Sequence, residues 1–123
     1  MAETFSISGS WRTTPSAGAQ GDITALADLF TTMVIKRKQV TELDLTSDPV
    51  VAVALGGSIH VLSVRTVGGR ANIRITTAGG STQVVPVDTL VVIVTDGYPI
   101  TALDVQRETG VNVQVSLFFA EKA

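Results

Sequence analysis

Short apolar runs divided by glycine pairs set the rhythm of this chain. In its middle third, Val-Val-Ala-Val-Ala-Leu runs into Gly56-Gly57. Ser-Ile-His-Val-Leu-Ser-Val-Arg-Thr-Val then runs into Gly68-Gly69, and Arg-Ala-Asn-Ile-Arg-Ile-Thr-Thr into Ala78-Gly79-Gly80. Runs rich in Val and Ile, spaced about a dozen residues apart, predict consecutive antiparallel strands of a sandwich or barrel. Glycine supplies the positive φ of tight hairpins, so the pairs read as hairpin turns.

The same alternation extends outward. In residues 4–11, Phe5, Ile7 and Trp11 alternate with Thr4, Ser6, Ser8 and Ser10, a strand covered on one face, with Gly9 marking a bulge or a close approach. Residues 12–21, rich in Thr, Pro, Ser, Ala and Gly, read as a loop or arm. In 22–33, Ile23, Leu26, Leu29, Phe30 and Met33 fall at helical spacing behind the potential cap Asp22, which predicts a short helix. The β formers Thr31, Thr32, Val34 and Ile35 argue instead for a strand there. Leu43 and Leu45 point inward from another strand, and Thr46-Ser47-Asp48-Pro49 is a turn.

Residues 58–67 carry apolar side chains on both faces, as a central strand does. In 70–77, Ile73 and Ile75 point in while Arg70, Asn72, Arg74 and Thr76 point out. Pro86 assigns 82–87 to an edge or bend. Residues 90–94, Leu-Val-Val-Ile-Val, are apolar throughout and read as the centre of the core. After the turn Asp96-Gly97-Tyr98-Pro99 come a strand over 100–105 and a second turn ending at Gly110. The last strand buries Val111, Val113, Val115, Leu117 and Phe119 and leaves Phe118 on the polar face as an exposed apolar residue. Its regularity places it in the middle of a sheet. The whole is an all-β, single-domain antiparallel β-sandwich of jelly-roll type over residues 1–123, with 1–21 as an N-terminal strand and interaction arm.

Composition narrows the function. Of 123 residues, 45% are hydrophobic and 16% charged, a balance that suits a chain burying surface against its own core or against neighbours. A net charge of −2 lacks the basic face of a nucleic-acid binder. The absence of cysteine rules out disulfides and zinc-thiolate sites. No apolar run is long enough to span a bilayer as a helix, and the first residues lack the pattern of a secretion signal.

Candidate chemistry is sparse. His60, the one histidine, lies mid-strand with no histidine or carboxylate at metal-ligand spacing, and reads as a partly buried residue with a local hydrogen bond. No Gly-x-Ser-x-Gly elbow is present, and the glycine pairs match no phosphate-loop spacing. The dispersed aspartates suit turns, with a calcium site between loops as a weaker reading. No catalytic, cofactor or metal residue is therefore assigned. Lys36, Arg37 and Lys38 form the one basic cluster and read as a solvated hairpin end, or as a contact for an acidic partner. Arg70 and Arg74 project from one strand face. Aromatic residues and arginine are enriched at interfaces, which adds Phe5, Trp11, Arg12 and Phe118 as interface candidates, with core packing the rival for Trp11.

In layout the chain resembles small virion structural proteins of tailed bacteriophages, particularly all-β capsid cement or decoration proteins. The resemblance lies in the Thr/Ser/Gly-rich start, Asp48-Pro49-Val50-Val51-Ala52-Val53, the glycine-punctuated strands, Val85-Pro86-Val87-Asp88, and the tail from Pro99 through Gly110-Val111 to Val115-Ser116-Leu117-Phe118. It carries no diagnostic motif. It implies a non-enzymatic virion protein that contacts the major capsid protein and itself, as a dimer or trimer, and neither nucleic acid nor membrane. The expected contact regions are 1–21 and 36–39. Tail, neck or fibre-base proteins share this composition. A carbohydrate-binding sandwich is a further alternative, although few aromatics are present to form a sugar platform. A cupin-type enzyme would need a histidine cluster.

Overall fold

In the computed structural model, residues 3–13 and 24–123 are described, and of 7–13 and 24–32 the backbone alone. Among them the chain forms nine strands: β1 (Glu3–Thr13), β2 (Thr24–Leu45), β3 (Val51–Val53), β4 (Val61–Val67), β5 (Ala71–Thr77), β6 (Thr82–Val87), β7 (Leu90–Val94), β8 (Ile100–Arg107) and β9 (Val113–Lys122). They build two antiparallel sheets, ordered β1-β2-β9-β4-β7 and β3-β8-β5-β6.

The winding follows from the pairs. β2 pairs with β9, β3 with β8, β4 with β7, and β5 with β6. This is one long hairpin with its tip between β5 and β6, rolled so that its successive strand pairs alternate between the sheets. Pairing of β9 with β4 and of β8 with β5 closes the roll. The result is a jelly roll, with β1 added outside β2.

This winding corrects the reading of the glycine pairs. Only Gly79-Gly80 turns a hairpin, at the β5–β6 tip, where Gly80 has φ +83° and its N–H donates to the Thr77 carbonyl at 2.8 Å. Gly56-Gly57 and Gly68-Gly69 carry the chain from one sheet to the other. Glycine spacing reports sharp reversals and cannot tell a turn within a sheet from a corner between sheets.

The core is formed by alternate residues of both sheets. Phe119, Leu117, Val115, Leu62 and Val64 meet Ile73, Ile75, Leu103, Val105 and Ile100, all buried. The inward set of β5 and the central place of β9 match the alternation in the sequence. The apolar run of β7 does not. Leu90–Val94 lies at the edge of its sheet, and Leu90, Val92 and Val94 are exposed. An all-apolar run has no polar face to betray that one side of it is uncovered.

The helical reading of 22–33 is also corrected: from Thr24 onward the segment is strand, paired with β1 from Glu3 opposite Ile35 to Thr13 opposite Thr24. The ladder to β1 satisfies the backbone along that length, and the helical spacing of the apolar residues is incidental. Asp22 and Ile23 lie outside the described residues, as do residues 14–21 of the expected arm. The bulge expected at Gly9 falls elsewhere: Gly9 pairs regularly with Leu29, and the register slips at Leu26, opposite Trp11 and Arg12.

Candidate interaction surface

A second bulge organises the surface. Ile35 stands opposite Lys122 and Arg37 opposite Glu121, so Lys36 is the extra residue in β2. A one-residue slip exchanges the two faces of a strand. Beyond the bulge, Leu43 and Leu45 face the core. Before it, Met33 and Ile35 lie on the outer face, where they pack with Val61, Ala120, Phe5 and Phe118 in a second small cluster. Phe5 and Phe118 stack with ring centroids 5.9 Å apart. Phe118 is thus half-covered, not free as its position on the polar face suggested.

The bulge also determines the fate of the basic cluster. Lys36, Arg37 and Lys38 lie mid-strand, not at a hairpin end. Glu121 accepts from Arg37 through Nη2 at 3.0 Å and Nε at 3.2 Å, and pairs with Lys36 Nζ at 3.0 Å. Arg37 donates also to the Leu55 carbonyl, which ties the β3–β4 corner to β2. Gly56, with φ +72°, leaves room for this, since a Cβ there would lie 3.0 Å from the guanidinium. Lys38 pairs with Glu3 across the ribbon at 2.9 Å. All three charges are thus paired within the chain, Arg37 against the β3–β4 corner and Lys36 and Lys38 at the surface. Arg70 pairs with Glu108 at 3.1 Å, while Arg74 is exposed in register between Val84 and Asp104. Trp11 and Arg12 sit in β1 at the slip opposite Leu26.

Lys36 and Arg37, in that order of effect, hold the Glu121 carboxyl below the usual carboxylate range. Asp48 is likewise lowered, chiefly by the Gly110 N–H at 3.0 Å and then by Arg107 at 2.9 Å. A carboxylate with a lowered folded-state pKa contributes stability that is complete above its unfolded value, about 4. That stability is lost as pH falls through the folded value. Glu121→Gln is therefore expected to be less stable than the parent at pH 7, with the gap closing as pH falls below about 4. Denaturant melts from pH 7 to pH 2 check this; a gap independent of pH would refute it.

His60 is half-buried. Its Nδ1 accepts the Lys122 backbone N–H at 3.0 Å, the local hydrogen bond its sequence context suggested. Among the described residues no three potential metal ligands come together.

The two outer faces differ in character. On the β3-β8-β5-β6 sheet, the cross-strand rows read Ala52, Asp104, Arg74, Val84, then Gln106, Asn72, Pro86, then Ala102, Thr76, Thr82. That face is mostly polar. On the other sheet, one row reads Val40, Phe118, Ser63, Val92 and the next Lys38, Ala120, Val61, Val94. Val40 is 67% exposed, Leu90 57%, Val92 40% and Val94 39%. Apolar side chains thus cross the sheet to the β7 edge, interrupted by Ser63 and bordered by Glu42 and Arg65.

Among the described residues three strand edges lack the usual protection of proline, lysine or a short length. They are β7, the outer edge of β1, and the half of β2 that runs past β9. By contrast, β6 carries Pro86 and β3 is three residues long. No protein-family model, curated protein or solved structure matches the chain. Val40, Leu90, Val92 and Val94 are absent from the candidates drawn from sequence. The signal for the last three was the lack of alternation in 90–94, which burial explains equally well; Val40 had none.

Proposed function

We propose that the chain is a non-enzymatic structural protein of a tailed-phage virion. It sits on the outside of the capsid and stabilises the shell by bridging subunits of the major capsid protein. The observation that carries this reading is the contrast between the two outer faces. One is mostly polar, and the other exposes Val40, Leu90, Val92 and Val94 beside an unprotected strand edge. Exposed apolar surface rimmed by polar residues marks protein contact, and an open edge offers main-chain hydrogen bonds to a partner strand. The likeness in layout to phage cement proteins supplies the virion setting, with the N-terminal segment 1–21 as the arm.

The test is co-sedimentation with pre-formed capsids of the encoding phage, together with their melting temperature. Binding to the shell and a higher melting temperature are expected. A chain that ignores capsids but co-purifies with tails would overturn the capsid assignment and leave a tail, neck or fibre-base role.

A further inference from the structure

We propose that two copies of the chain join through residues 24–34 of β2, each open edge pairing with its own image across a two-fold axis. The product is a four-stranded ribbon, β1-β2-β2-β1.

Among the described residues, β2 lacks a second neighbouring strand along half of its length. β9 reaches along it only to Ile35, and the last main-chain contact on that side is the Ala123 N–H donating to the Val34 carbonyl at 2.9 Å. From there to Thr24, β2 is paired with β1 on one edge and with no strand on the other among the described residues. A two-stranded ribbon is marginal in water on its own. This one, Thr-Ala-Leu-Ala-Asp-Leu-Phe-Thr-Thr-Met-Val, carries one charge and no proline on the open edge.

A second β2 has the right direction and length. It would run antiparallel to the first, hence in the direction of β9, and would begin where β9 stops. The open segments of the two copies are equal by symmetry, so neither leaves an overhang.

The register follows from hydrogen-bond parity and charge. The Val34 carbonyl points to the open edge, so Thr32, Phe30 and Asp28 present their N–H and C=O groups there, and the residues between them face β1. A two-fold axis relating antiparallel strands must pass between a residue and its own image. Near the middle of 24–34 the choices are Asp28 and Leu29. An Asp28 axis sets two carboxylates directly opposite, which is destabilising. A Leu29 axis sets Asp28 opposite Phe30 of the second copy. Within its own ribbon Leu29 stands opposite Gly9, which has no side chain to crowd it. The Leu29 pair falls at a non-hydrogen-bonded position, where Cα atoms approach to about 4.5 Å, within the range a disulfide spans.

The chain has no cysteine, so single substitutions report the interface cleanly. Light scattering of the intact chain is expected to give twice 12.8 kDa. Leu29→Cys should cross-link to a covalent dimer under mild oxidation, and Val92→Cys, on the open β7 edge, should not. Leu29→Lys alone and Leu29→Asp alone should each be monomeric, and mixing the two should restore the dimer. A folded monomer at micromolar concentration, an odd-numbered oligomer, or cross-linking through Val92→Cys in place of Leu29→Cys would overturn the proposal. It does not rest on the capsid reading: a Leu29-linked dimer that ignores capsids supports it.

Discussion

Replacing Phe119 by alanine is expected to lower the unfolding free energy by about 3–5 kcal/mol, the usual cost of deleting a fully buried ring. Phe119 is 1% exposed on β9, between Gln39 of β2 and Leu62 of β4, and its ring enters the main core between the sheets. Domains of this size are stable by about 5–15 kcal/mol, so the loss removes a large share of the total. The neighbouring Phe118→Ala removes a half-covered ring from the smaller outer cluster and its stack on Phe5, worth about 1–2 kcal/mol. Denaturant melts of both variants at one chain concentration check the order, since association would shift both midpoints together. A larger loss for Phe118 would mean that the outer cluster, not the sandwich, is the main core.

These two adjacent phenylalanines show how far the sequence could be read. Where one face of a strand is apolar and the other polar, alternation alone assigns the faces. So it did for Ile73 and Ile75 in β5 and for Val113 to Phe119 in β9, and the sandwich class followed. Alternation fails where it is broken or absent. The extra residue Lys36 reverses the faces of β2, and a bulge leaves no mark in the hydrophobic pattern. Without that reversal, Met33 and Ile35 could not share the outer face with Phe118. Five consecutive apolar residues in β7 fit a central or an edge strand equally well, and only the pairing of β4 with both β9 and β7 decides between them.

The candidate site was less legible for a related reason. Aromatic and basic residues were the natural guides, yet Lys36, Arg37 and Lys38 are taken up by Glu121 and Glu3, and Phe5 and Phe118 by each other. Pairing across strands distant in sequence consumed them. The apolar residues left exposed on the outer face of the β1-β2-β9-β4-β7 sheet are valine and leucine, whose presence on a surface becomes informative only when several are shown to be contiguous.

Placing glutamates at Val40 and Val92 together is expected to weaken capsid attachment at least about thirty-fold, roughly 2 kcal/mol, while leaving the sandwich folded. Both side chains already project into solvent, at 67% and 40% exposure, from the cross-strand row that contains Phe118, so a carboxylate at either position stays hydrated in the free chain. On a capsid, each carboxylate would have to lose that water against an apolar partner surface, and an unpaired charge buried in this way costs far more than the lost methyl contacts. Val84→Glu is the matched control: it is 56% exposed but lies on the polar outer face of the other sheet, beside Arg74. Co-sedimentation of the double variant, the control and the parent at equal ionic strength separates the faces. Equal attachment of all three would show that the apolar row is not the contact. Loss with Val84→Glu alone would move the contact to the polar sheet. Loss confined to the double variant, with its circular dichroism unchanged, would locate the capsid-facing side of the jelly roll on the sheet whose edge is β7.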